Sequence, residues 1–215
     1  MPSPRASDPR RLTSSEEDYL KALYLLTEWD DEAVRTGTLA IQLGLTPASA
    51  TSMVQKLAAK GLVDYVPRGD IKLSEAGHRQ ALRMVRRHRV LETFLRDELG
   101  YGWDEVHDEA EALEHTVTDR FIDALDRRLG YPRHDPHGDA IPEADGTLAA
   151  RQAVRLDHFS GTQARVARVS DEDPDFLRRA QTLGLVPGAI VQLPLPLSPI
   201  EASLVWVVPV SAGTA

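Results

Sequence analysis

The chain contains no cysteine. That absence excludes disulfides, thiolate zinc sites and cysteine nucleophiles, and it fits a cytoplasmic protein, the expected location. Thioethers are nearly as scarce, with Met1, Met53 and Met84 the only methionines. No apolar run approaches the roughly 18–20 residues needed to span a bilayer, so no membrane is expected as a partner. The opening MPSPRASDPRR lacks the apolar segment of a signal peptide and reads as a disordered arm. Basic residues are in the minority: 25 Lys and Arg stand against 33 Asp and Glu, a formal net charge of -8. This argues against a general nucleic-acid coating protein. It leaves sequence-specific DNA binding open, because that needs only a local basic surface. Clustered carboxylates also repel until a cation neutralises them, so an acidic chain can hold divalent metal.

What is present is an ordinary globular composition, 42% hydrophobic and 27% charged over 215 residues. That length suits one large domain or two to three small ones. In TSSEEDYLKALYLLTEW, Ser14 with Glu17 fits a capping box, and Tyr19, Ala22, Leu23 and Leu26 recur at helical spacing. Asp18 sits at the edge of that apolar face. TLAIQLGL reads as a short helix closed by Gly44. Thr46 and Pro47 then open PASATSMVQKLAAK, with Ala50, Val54, Leu57 and Met53 as inward positions and Gly61 as the stop. LVDYV, PRGD and IKLS read as a hairpin. Helix, turn, helix, hairpin is the winged-helix order, in which the second helix of the pair enters the major groove.

A long helix follows over 75–99, carrying Arg79, Arg83, Arg86, Arg87 and Arg89. His88 and Glu92 interrupt its apolar stripe of Val85, Leu95 and Leu99. Arg79, Arg83 and Arg86 read as a solvated face. A further helix is expected over 103–129, with Val106, Ala110, Leu113, Val117, Phe121 and Leu125 inward as core and dimer interface. GYPRHDPHGDAIPEADG is rich in turn residues and is placed as a domain boundary. Beyond it, QARVARVS, AIVQLPL and SLVWVVPV read as strands of a small β-rich domain, with PDFLRRAQTLGL a helix between the first two. The expected class is mainly α with a small β domain. The expected domains are 1–75, 76–147 including the linker, and 148–215.

Two rows of side chains could bind metal. His107, Glu111, Glu114 and His115 project from one side of a helix, and His88 and Glu92 lie one turn apart on the preceding helix. Consecutive helices joined by a short turn pack antiparallel, which lets the rows face each other. A charged helix face is ordinarily solvated. Here both rows lie on or beside apolar stripes, where uncompensated charge is costly. The donors are imidazole and carboxylate only, which suits Mn(II) or Fe(II), although affinity order alone favours Zn(II).

Taken together, SSEEDYLKALYLL, TPASATSMVQKLAAKGLV, RRHRVLETFL, VHDEAEALEH and HGDAIP resemble the diphtheria toxin repressor family of metal-dependent transcription regulators, and within it the manganese transport regulators. The resemblance spans almost the whole chain. It implies a winged helix-turn-helix, a helical dimerisation domain and a C-terminal SH3-like domain. It also implies two metal sites per subunit. Its primary ligands fall on Asp18, Glu111, Glu114 and His115. Iron-responsive members carry methionine and cysteine where this chain has Asp18 and Glu111, which points to Mn(II) with Fe(II) as the alternative. His88, Glu92 and His107 match the ancillary site, and His88 is also a primary ligand in some manganese regulators. In three-domain members the SH3-like domain completes that site with an acid and a partner three positions on, which here gives Glu172 and Asp175. Some relatives carry a second acid one turn after Asp18. Lys21 stands there, so two well-separated ions are expected rather than a close pair.

The implied function is a homodimeric, metal-activated repressor of metal homeostasis genes that binds a palindromic double-stranded operator. Thr46, Ser49, Thr51 and Ser52 would meet phosphates or base edges, Lys56 the backbone, and Arg68 would sit on the wing. Rival readings are a metal-independent winged-helix regulator and a di-iron enzyme. The enzyme requires Glu-x-x-His on two helices, which neither His107 nor His115 satisfies, and there is no HExxH motif.

Overall fold

Thr13 opens the first helix, α1 (Ser14–Glu28), through a capping box in which its side chain accepts from the Glu16 backbone and Glu16 answers to the Thr13 backbone. The box thus sits one residue earlier than the Ser14–Glu17 pairing expected. The protein is described by a computed structural model covering residues 12–29, 33–150 and 152–210. The expected N-terminal arm lies outside the described residues. By their contacts the residues form two compact units, 1–85 and 86–215.

In the first unit, α1 packs with α2 (Thr36–Gln42) and α3 (Pro47–Ala59) over a core that includes Leu20, Leu23, Leu39, Val54 and Leu57. Gly44 takes a positive φ of 63° between α2 and α3, and Thr46 caps α3 through the Ser49 backbone. β1 (Val63–Tyr65) pairs antiparallel with β2 (Ile71–Leu73). Arg68, at the tip of that hairpin, is exposed with φ 65°.

Glu16 does more than cap α1. It is fully buried, and Lys60 Nζ and Lys56 Nζ lie 2.6 and 3.0 Å from its Oε1, so it ties the last turns of α3 to the start of α1. Burial opposes its ionisation, but Lys60, the Thr13 backbone and Lys56 outweigh burial and hold its pKa at about 2 instead of 4.5. A depressed acid contributes stability above its unfolded pKa and loses it as pH falls through the folded one. The shift is worth at most about 3 kcal/mol, and the half-exposed lysines bring it nearer about 1 kcal/mol. Denaturation followed by helicity should therefore weaken on acidification between about 4.5 and about 2. Glu16→Gln should flatten that slope. An unchanged slope would remove the clamp from the account.

α4 (Glu75–Leu99) runs from one unit into the other. The helix expected over 103–129 is two helices, α5 (Val106–Glu114) and α6 (Asp119–Arg128). The β-branched run Thr116–Val117–Thr118 breaks it: the Thr116 hydroxyl bonds back to the Leu113 carbonyl, and Thr118 caps α6 through the Phe121 backbone. Val90, Leu91, Leu95, Val106, Ala110, Ile122 and Leu125 form one core of the second unit. Phe121, expected inward, is half-exposed.

Arg86 is buried rather than solvated. It donates to Asp126 at 2.9 Å, to Asp123 at 3.1 Å and to the Pro142 carbonyl at 3.1 Å.

The second core belongs to an antiparallel sheet ordered β3 (Val154–Arg155), β6 (Val205–Pro209), β4 (Gln163–Val169), β5 (Ile190–Gln192), with a bulge between Val166 and Arg168. α7 (Pro174–Thr182) packs Phe176, Leu177 and Ala180 into it, and α8 (Pro199–Ser203) precedes β6. The loop 130–147, read as a boundary, is packed inside this unit over residues 135–142. Gly138 (φ 97°) lies so close to β4 that a Cβ there would meet the Ala167 carbonyl oxygen at 2.0 Å. Arg168 on β4 grips Asp139 of the loop, Nε to both carboxylate oxygens at 2.7 Å.

Candidate metal centre

α4 presents His88 and Glu92 one turn apart, both buried, and α5 presents His107 near its start and Glu114 at its end. His88 Nδ1 is 2.7 Å from Glu114 Oε2. A carboxylate only accepts, so the proton of that bond resides on Nδ1, and a neutral His88 turns the lone pair of Nε2 the other way. There it faces Glu92 Oε1 at 3.1 Å and His107 Nδ1 at 3.3 Å. Asp171 Oδ2 closes the group, 3.0 Å from His107 Nδ1. His88, Glu92, His107 and Asp171 each offer a ligand atom within 4.8 Å of the others. His88, Glu111 and Glu114 make a second such group, and Glu92, Asp135 and His137 a third. His115 Nε2 stands 3.6 Å from Glu114 Oε1.

The charges of the first group are poised for a cation. Glu92 is fully buried, and neither of its carboxylate oxygens has a hydrogen-bond partner. Burial penalises its charge, yet His88 and His107 hold its pKa well below the usual carboxylate range. Burial likewise disfavours a charged His107, but Asp171 and Glu92 outweigh it and raise that imidazole to about 11. Metal uptake must therefore displace protons. Buried carboxylate oxygens facing imidazoles, with no sulfur donor in these groups of described residues, fit a divalent cation of the Mn(II), Fe(II) or Zn(II) kind.

The acid that reaches this group from the C-terminal segment is Asp171, not Glu172 or Asp175. The chain leaves β4 buried, with Val169 N bonded to the His137 carbonyl at 3.0 Å and Ser170 N to the Leu204 carbonyl at 2.8 Å, and this carries Asp171 inward. Glu172 is exposed. Asp173 caps α7, and Asp175 in its first turn is exposed and pairs with Arg178. Asp171 was missed because spacing alone could not choose among neighbouring acids.

Residues 11–71 match the family model described as iron dependent repressor, N-terminal DNA binding domain. Residues 74–143 match its metal binding and dimerisation domain, and 157–205 match the FeoA domain. A manganese-dependent transcriptional repressor solved in complex with manganese is 41% identical, with a TM-score of 0.83 over 91% of this chain and 100% of that one. The chain belongs to the diphtheria toxin repressor family. That family is one of transcriptional repressors, not of enzymes. Other members it resembles are ScaR with bound Zn2+, 30% identical with a TM-score of 0.80 over 91% of this chain and 99% of that one. The iron-dependent repressor IdeR of Mycobacterium tuberculosis is 30% identical over 84% of each chain. The regulator MntR of Bacillus subtilis is 32% identical over 57% of this chain and 85% of its own.

The repressor family's fold is thus the one seen here, a winged helix followed by helices and a small SH3-like sheet domain. His88, Glu92, His107, Glu111, Glu114 and His115 all fall in its metal-binding segment, and Asp18 lies on α1 in the DNA-binding segment. The expected DNA contacts also lie in that segment. Thr46 and Ser49 are exposed at the start of α3 but bonded to each other, Oγ1 to Oγ at 2.9 Å. Thr51 donates to the Pro47 carbonyl at 2.8 Å, and Ser52 is exposed. Lys56 is half-exposed and held by Glu16.

Proposed function

We propose that this protein is a Mn(II)-activated repressor of metal homeostasis genes, acting in the cytoplasm as a homodimer on a palindromic double-stranded operator. The observation that carries the reading is the donor set: buried imidazoles and carboxylates, with no sulfur in any candidate group. Asp18, Glu111, Glu114 and His115 are the proposed primary ligands. His88, Glu92, His107 and Asp171 are the proposed ancillary ones, so each subunit has two regulatory sites. Residues 1–75, 76–147 and 148–215 are the proposed domains for DNA binding, for metal binding with dimerisation, and for the SH3-like fold.

A bound Mn(II) would supply a positive charge that all of these carboxylates share. Asp18, Glu111 and Glu114 repel one another when ionised. When they share a cation, α1 is biased to one arrangement, and the recognition helices of a dimer take a single spacing. Glu114 and His88 link the two ligand sets, since the Nδ1 bond fixes which His88 nitrogen faces Glu92. On α3, Thr46, Ser49, Thr51 and Ser52 are the proposed groove contacts, with Lys56 and Arg68 at the phosphates.

Asp18→Ala and Glu111→Ala test the assignment. Each should keep its helicity and melting behaviour without metal, while operator binding ceases to respond to Mn(II). A normal response in both variants would refute the primary ligand set. Resemblance to IdeR favours Fe(II) as a second reading. Anaerobic titration with either ion discriminates the two.

A further inference from the structure

The outer face of α3 is uneven in size. Ala50, Val54 and Leu57 turn inward and are buried. With about 3.6 residues per turn, the positions opposite them are Ala48, Ser52, Gln55 and Ala59, and all four are exposed. Ala48, Ser52 and Ala59 barely project beyond the helix backbone. Gln55 stands among them, in the middle of α3, as the one long polar side chain of the stripe. Polar groups to either side are engaged. Thr46 Oγ1 accepts from the Ser49 backbone and lies 2.9 Å from Ser49 Oγ, so that pair closes the helix start. Thr51 gives its hydroxyl proton to the Pro47 carbonyl at 2.8 Å. Lys56 and Lys60 turn aside to Glu16, with Nζ 3.0 and 2.6 Å from its Oε1.

A helix with so smooth an outer face can lie close to a groove floor, and Gln55 is then the side chain that reaches furthest. Its carboxamide holds an acceptor, Oε1, and donors on Nε2 in one plane. In the major groove adenine presents the complement, the N6 amino donor beside the N7 acceptor. Guanine presents two acceptors there, which leaves Oε1 unmatched. Cytosine presents a donor alone, and thymine an acceptor beside a methyl group. The Ala48 and Ala59 methyl groups suit contact with a thymine methyl on the same stripe.

We propose that Gln55 is a specificity-determining residue that reads one adenine in each operator half-site through a two-point contact. Oε1 accepts from adenine N6–H, and Nε2–H donates to adenine N7. The symmetry of a dimer on a palindrome places that adenine once in each arm. Ser52, one turn earlier on the stripe, has a single hydroxyl that tolerates several bases, so the discrimination falls to Gln55. This assignment rests on the proposed role of α3 as the recognition helix and is independent of which metal activates the protein.

The test is selection from a random duplex library by the full chain with Mn(II), in three forms: parent, Gln55→Ala and Gln55→Glu. Affinities are then measured on duplexes that differ at one symmetric base pair. The parent should favour A·T at that pair by about 5- to 150-fold, the range of one good two-point base contact. Gln55→Ala should lose the preference at that pair alone, with the other positions of the motif as in the parent. Gln55→Glu should move it to C·G, because a carboxylate accepts from cytosine N4 but is opposed by the N7 acceptor beside adenine N6. An alanine variant that selects the parental motif overturns the proposal. So does one weakened equally on every sequence, the mark of a backbone contact. If the glutamate variant binds no DNA, the alanine variant still decides. Absence of any Mn(II)-dependent selection by the parent would defeat the repressor reading, and the proposal with it.

Discussion

Replacing Glu114 by glutamine is expected to weaken Mn(II) binding at both regulatory sites, whereas Glu111→Gln should weaken one. Glu114 is fully buried and lies between the two ligand sets, Oε1 3.6 Å from His115 Nε2 and Oε2 2.7 Å from His88 Nδ1. As a proposed primary ligand, its loss should lower affinity there by at least the roughly 10–100-fold typical of a ligand's outer partner. Its second effect is on tautomer. A carboxylate can only accept from His88 Nδ1, whereas an amide can also donate to it, so Gln no longer forces the proton there. The lone pair on Nε2 that faces Glu92 and His107 is then less populated. Outer partners of this kind are typically worth about 10–100-fold in metal affinity. Calorimetric titration of both variants distinguishes the effects. If Glu114→Gln changes only one of the binding steps, the link through His88 is wrong.

The second large effect is on stability. Asp139→Ala should destabilise the second unit by about 3–5 kcal/mol, the range for removing one partner of a buried ion pair. Both Asp139 oxygens lie 2.7 Å from Arg168 Nε, and the Arg168 guanidinium stacks 4.3 Å from the centre of the Trp206 ring. Without Asp139 the loop loses its charged fastening to β4, and a buried guanidinium loses its closest carboxylate. Asp139→Asn should cost less, because one oxygen still accepts. Denaturant unfolding in the presence of EDTA isolates this effect from metal binding. A change below about 1 kcal/mol, the size expected of an exposed pair, would mean that the grip contributes little.

Much of this architecture was legible in the sequence because its signals are local. Thr46, Pro47 and Gly61 bound α3, and Gly44 ends α2, each through backbone requirements that short-range chemistry sets. The hairpin and α4 were readable for the same reason. The break between α5 and α6 was missed because the apolar stripe continues across it; Thr118 as a cap after a β-branched run was the available sign. Arg86 was misread as solvated because its carboxylates, Asp123 and Asp126, lie on another helix.

The site divided in the same way. Glu111, Glu114, His115, His88 and Glu92 could be read from helical spacing, since i, i+4 positions share a face. Asp171 could not, because which of several neighbouring acids turns inward depends on how β4 pairs with β6. One cue was available: Asp173 before Pro174 is a helix start, which left Asp171 nearer the strand end. Asp135 and His137 sat within a segment rich in Pro, Gly and Asp that reads as a linker. Only the packing of that loop beside α4 and β4 reveals them as buried.

Metal is expected to switch DNA binding. Fluorescence anisotropy decides this on one palindromic duplex, selected from random DNA with the Mn(II)-loaded protein, at one fixed salt concentration. Tight binding is expected with Mn(II) and, after EDTA, affinity no better than for a scrambled duplex. Equal affinity for the selected duplex with and without Mn(II) would contradict it.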